Sequence, residues 1–248
     1  MKLVPETRSS EIVEQLNEIT GRGWYVDGNT FEMRKLRREI EKVRDVNAAI
    51  GWALLGSYAA ISGDIAEVER CFNASMRLEE ITTTHGNYHS TLGNLGYFSK
   101  AHQYFRDSGR PETGRFSQIS QYAERMGSFQ TVVAYDQEAR EMNIETPTIH
   151  GASVHAAAVL ARAGVSDEQV VSHLDAAGEV LRRHHMFYGQ EIEIKVADFD
   201  GEFTGVTCVF SVLGSPDEVF ELNVALAAVE DEFCVQKHPA FDVIFLPV

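Results

Sequence analysis

Apolar residues in the first half of the chain recur at steps of three and four, the spacing of helices with one buried face. Ser10 and Glu11 introduce Ile12, Leu16 and Ile19, which predict a short first helix. The stretch GRGWYVDGNT, residues 21–30, interrupts it with three glycines. Met33, Leu36, Ile40, Val43, Asn47 and Ile50 then form one face of an amphipathic helix. Its opposite face carries RKLRREIEKVR, which reads as a solvated surface diluted by Glu39 and Glu41, or alternatively as a basic patch for an acidic partner.

The pattern then repeats. Gly63, Gly96 and Gly127 stand 33 and 31 residues apart. Five positions beyond each are Val68, Ala101 and Val132, and eight beyond are Cys71, Tyr104 and Tyr135. A helical segment precedes each glycine and another follows it. Asp64 and Glu67 have capping-box spacing at one of the second helices. A period in the low thirties built from two helices predicts a solenoid, in which each unit buries its apolar face against its neighbours. A plain helical bundle is the alternative.

Trp52, Leu55 and Gly56 in WALLG, with Gly63 and Phe72, resemble the tetratricopeptide repeat (TPR) signature. The run from Gly96 to Ser108, GYFSKAHQYFRDS, resembles the second half of the same unit. The resemblance covers residues 47–142. A looser fourth unit with Gly164, a Ser166–Gln169 capping box, Val170, Leu174 and Ala177 extends it to 177. It implies an array whose first helices line a concave groove that receives peptides or helices. By that resemblance the groove residues are Ala53, Ser57, Ser90, Asn94, Ser117, Gln121 and Glu124. Most are small and uncharged. They leave room for a partner helix or for the chain's own first helix folded back, and they equally allow tight helix packing.

After residue 186 the period changes to two. Ile192, Ile194 and Val196 alternate with charged residues, and Val206, Cys208, Phe210 and Val212 share a face. Asp200-Gly201 between them predicts a hairpin turn. Ser215, Pro216 and Glu218 predict a capped helix start, followed by Val219, Leu222, Leu226, Val229 and Phe233 facing inward. FDVIFLPV closes the chain as a third, more buried strand. The expected fold is therefore α+β: an all-α TPR-like array over residues 1–186, then a small acidic β-β-α-β domain over 187–248.

Charge narrows the partners. The net charge is −15, which repels phosphate backbones and disfavours nucleic acid. From residue 187 onward there are 2 basic and 12 acidic residues, which suits a basic partner or serves solubility alone. Cys71, Cys208 and Cys234 are odd in number and widely spaced, as expected of a reducing cytoplasm rather than a disulfide or zinc framework. No secretory leader is expected from MKLVPETRSSEIVEQL, and no run of apolar residues suits a membrane.

The acidic turn offers the sharpest chemistry. Asp198, Asp200 and Gly201 resemble the first motif of haloacid-dehalogenase-type phosphatases, and with Glu202 they form an alternative metal set. Glu202 stands where that motif has Thr, and few residues follow it. His85 and His89, four apart, would share a helix face as metal ligands or as packed side chains. Neither a nucleophile elbow nor a phosphate loop is present, and GASVH (151–155) reads as helix. The expected function is a non-enzymatic protein-interaction module without a cofactor: an adaptor, a client chaperone or an immunity-type protein. A metal-dependent enzyme or sensor, and a homo-oligomer whose groove takes a neighbour's first helix, are the alternatives.

Overall fold

The computed structural model describes residues 5–79, 81–189, 191–199 and 203–248. The fold is α+β, a helical array followed by a three-stranded sheet. It divides into two compact units.

The first unit runs to Leu95 and takes in His185–Gly189. Its helices are α1 (Pro5–Thr20), α2 (Phe31–Val46), α3 (Ala48–Ala60), α4 (Ile65–Leu78) and α5 (Thr82–Asn94). Ile12 and Leu16 of α1 join Met33, Leu36, Ile40 and Val43 of α2 and Leu54 and Leu55 of α3 in one apolar cluster. The stripe expected to run unbroken from Met33 to Ile50 is split at Asn47. There the backbone turns extended, its N–H donates to Val43 O, and its side chain accepts from Ile50 N, so one residue ends α2 and starts α3. Gly56 is buried where a Cβ would meet the Phe72 ring at 2.6 Å, so the small residue admits the aromatic. His185–Gly189 adds an extended edge: Tyr25 N donates to His185 O, Phe187 N to Gly23 O and Tyr188 N to Asn94 O.

The second unit holds Gly96–His184 and Gln190–Val248. Its helices are α6 (Phe98–Ser108), α7 (Phe116–Ala123), α8 (Phe129–Glu141), α9 (Gly151–Ala163) and α10 (Asp167–Arg183). Phe105, Phe116, Ile119, Ala123 and Val132 form a core with Tyr135 and Ile149 against it. The chain continues as β1 (Glu193–Phe199), β2 (Phe203–Val212), α11 (Pro216–Glu232) and β3 (Phe241–Pro247), in the expected β-β-α-β order. β1 pairs antiparallel with β2 from Glu193↔Val209 to Phe199↔Phe203, and β2 pairs parallel with β3 through the α11 crossover. α9 packs on β1 and β2, while α10 packs on α11 and β3. Phe210 joins the two layers, with Phe98 edge-on at 5.8 Å and Phe245 at 5.5 Å.

The outer edge of β3 is covered by a side chain. Asn223 of α11 donates through Nδ2 to Phe245 O and accepts at Oδ1 from Phe245 N, each at 2.9 Å, as a neighbouring strand would. Phe233 does not face inward as expected; it is the C-cap residue of α11, bonding through its backbone N–H, and is 45% exposed.

Candidate functional site

Small residues of α3 and α5 leave a cavity in the first unit. Ala53 and Ser57 from α3 and Ser90 and Asn94 from α5 all line it, and each is half-buried. Its volume is about 530 Å³. α1 supplies a further wall through Ser10, Val13 and Asn17, so the first helix flanks this space. Asn87, Ser90 and Asn94 recur along α5 at steps of three and four, which puts their polar groups on one stripe. Hydroxyl and amide side chains are interspersed with apolar ones along the walls, and Glu14 is the one charged residue among the described residues lining it. His85 and His89 occupy the buried side of α5, at 4% and 0% exposure. They are packed histidines.

The other three groove candidates belong to the second unit. Ser117 and Gln121 are exposed on α7. Glu124 does not offer its carboxylate to a groove. It is 1% exposed and accepts the His150 N–H at 3.1 Å, so it ties the segment before α9 to the turn after α7. The TPR resemblance places Glu124 in the groove; a backbone donor 26 residues away explains its burial instead.

Asp198 lies on β1, where Arg162 Nη2 and His155 Nε2 of α9 reach its Oδ2 at 2.7 and 3.1 Å. Hydrogen bonds from His155 and Arg162 hold its carboxyl below the usual carboxylate range. One lobe of this candidate ligand is therefore already engaged by α9. Asp200, Glu202 and the turn at Gly201 lie outside the described residues. Among the described residues no three His, Cys, Asp or Glu side chains converge as a metal site would need.

Cysteine chemistry finds little support at the buried thiols. Burial pushes both Cys71 and Cys208 up to about 12, far from the thiolate that a nucleophile needs. Cys234 is exposed. It lines a second cleft of about 720 Å³ with Tyr97, Asp175 and Arg182. Its arginine is already engaged: the Arg182 guanidinium stacks on Tyr97 at 4.2 Å, donates to Gly96 O and binds Glu179.

Periodicity did not reveal the buried pair His173 and Glu230, which links α10 to α11. His173 Nδ1 lies 2.7 Å from Glu230 Oε1, and Lys237 Nζ lies 3.4 Å from Oε2. Burial raises the Glu230 carboxyl, but the His173 hydrogen bond and the Lys237 charge outweigh it and leave it below its ordinary value. A carboxylate depressed on folding stabilises the fold above its unfolded value, and that contribution is lost as pH falls through the folded one. Glu230→Gln should therefore be less stable than wild type at neutral pH and lose less on acidification. Urea midpoints between roughly pH 6 and pH 3 would read this, and parallel pH profiles would rule it out.

Comparison with known proteins supplies no precedent: no family model, curated protein or solved structure matches the chain.

Proposed function

We propose that this chain is a non-enzymatic protein-interaction module, whose TPR-like helical array receives a peptide segment of a partner between α1, α3 and α5. The observation that carries this reading is the stripe of Asn87, Ser90 and Asn94 facing a cavity walled by Ser57 and Ala53. An Asn amide pairs with a peptide N–H and C=O at once, so it reads backbone rather than side chain. Small neighbours leave space for the bound residues, and the lone carboxylate of Glu14 favours neutral or basic segments over acidic ones. The three free cysteines, Cys71, Cys208 and Cys234, suit an adaptor or client chaperone in a reducing, cytoplasmic setting.

Selection of a displayed random-peptide library on the full chain tests the reading. Peptides enriched on wild type should bind Ser57→Arg/Ser90→Arg at least about tenfold more weakly, with an unchanged thermal melt. Equal binding to the folded double variant would remove the groove as the site.

A further inference from the structure

α11 is apolar on both faces. Val219, Leu222, Leu226 and Val229 are buried, yet Phe220 is 63% and Val224 is 50% exposed. Exposed Ala227 and Ala228 continue this outer stripe at helical spacing. Large apolar side chains on the outward side of a helix whose other side is already buried mark an interaction surface. Leu213, just before the helix, is exposed as well, as is Val248, whose N–H donates to Val212 O.

The border of the stripe is acidic. Asp217 and Glu221 flank Phe220, Asp231 and Glu232 follow Ala228, and the helix contains no Lys or Arg. Lys237 pairs with Asp231 and Arg183 with Glu232, so the charge at that end is offset. Glu218 closes the capping box with Ser215, while Asp217 and Glu221 remain exposed beside Phe220. A second copy of α11 carries no Lys or Arg of its own to set against Asp217 and Glu221, which disfavours self-pairing. A cationic occupant satisfies both the stripe and its border.

We propose that the outer face of α11 docks a cationic amphipathic helix of a protein partner. Its apolar side would cover Phe220 and Val224, and its Lys or Arg side chains would meet Asp217 and Glu221. None of these residues lines the α1/α3/α5 cavity.

The test is fluorescence anisotropy with a labelled synthetic Leu/Lys helix, set against a scrambled peptide of the same composition that has no apolar face. Wild-type full chain should bind the helix at least about tenfold more tightly than the scramble. Phe220→Ser/Val224→Ser should lose about tenfold, and Asp217→Asn/Glu221→Asn should weaken binding and flatten its salt dependence. Ser57→Arg/Ser90→Arg should bind as wild type. Unchanged affinity in the Phe220/Val224 variant, equal affinity for the scramble, or loss confined to the Ser57/Ser90 variant would each overturn the proposal. So would a wild-type dimer that Phe220→Ser/Val224→Ser converts to monomer, since a second copy would then be the occupant.

Discussion

Gly178→Ala is expected to destabilise the second unit by about 2–4 kcal/mol, although alanine is the best helix former. Gly178 sits inside α10 against the turn at Gly96. A Cβ at Gly178 would lie 2.1 Å from Gly96 O and 2.6 Å from Gly96 Cα. Both are backbone atoms, so no rotamer change relieves the overlap; the turn or the helix must move. Moving the turn also disturbs the Arg182 guanidinium, which donates to Gly96 O. The helix-propensity gain of about 1 kcal/mol is too small to offset these losses. Gly96→Ala meets the same contact from the other side, with its new Cβ 2.5 Å from Gly178 Cα, and adds strain at φ +74. The two substitutions disrupt one interface, so their effects should not add. Two controls separate the causes. Gly164→Ala has a similar positive φ but no neighbour within 4 Å, and should cost only the strain, about 1–2 kcal/mol. Gly151→Ala, at ordinary φ and also without neighbours, should be neutral or slightly stabilising, within about 1 kcal/mol. Urea denaturation followed by circular dichroism gives all four values. A Gly178→Ala midpoint at or above that of wild type would mean that the turn and α10 do not meet as closely as described.

These glycines also show how far the sequence could be read. Gly63, Gly96 and Gly127, aligned by spacing alone, all adopt left-handed φ, from +74 to +85, as does Gly164 of the looser fourth unit at +73. A turn that requires φ above zero selects glycine, and that selection leaves a mark on the one-dimensional chain. The boxes at Ser166 and Ser215 formed for the same reason: cap and partner lie three residues apart. At Asp64 only half of the box forms. Its carboxylate accepts from Glu67 N, while the Glu67 side chain turns to Arg70 instead. Features set by distant partners left no such mark. Gly178 resembles any helical glycine until Gly96 is seen against it. Glu124 and Glu230 carry the letter of surface residues, yet one is buried by a backbone donor and the other by a histidine on a neighbouring helix. The groove shows the same division. The TPR resemblance singles out residues 53, 57, 90 and 94, which line the cavity, but Asn87 and the α1 wall depend on how α1, α3 and α5 pack.

Asp167→Ala should cost about 3 kcal/mol, because one buried carboxylate of α10 holds the start of α8. Asp167 is 4% exposed. Its oxygens accept from Gln130 N at 3.0 Å, Thr131 N at 2.8 Å and Thr131 Oγ1 at 2.7 Å. Ser128, the N-cap of α8, makes no side-chain cap of its own, so the first-turn donors of the helix rely on this carboxylate from elsewhere in the fold. Asp175, two turns further along α10, repeats the device at α6 by accepting from Ser99 N at 3.0 Å. It is less deeply buried, so Asp175→Ala should cost less, about 1–2 kcal/mol. Asp167→Asn keeps one acceptor and should fall between the two at neutral pH. Burial raises the Asp167 carboxyl above its ordinary value, against the pull of the Gln130 and Thr131 hydrogen bonds. An acid raised on folding binds its proton more tightly in the folded chain, so its contribution is fully present below the unfolded value and declines as pH rises through the folded one. The advantage of wild type over Asp167→Asn should therefore be largest in acid and shrink as pH climbs past the ordinary Asp range. A constant difference across that window would show that the carboxylate keeps its unfolded affinity for protons. An Asp167→Ala loss under about 0.5 kcal/mol would show that solvent, and not α10, satisfies the first turn of α8.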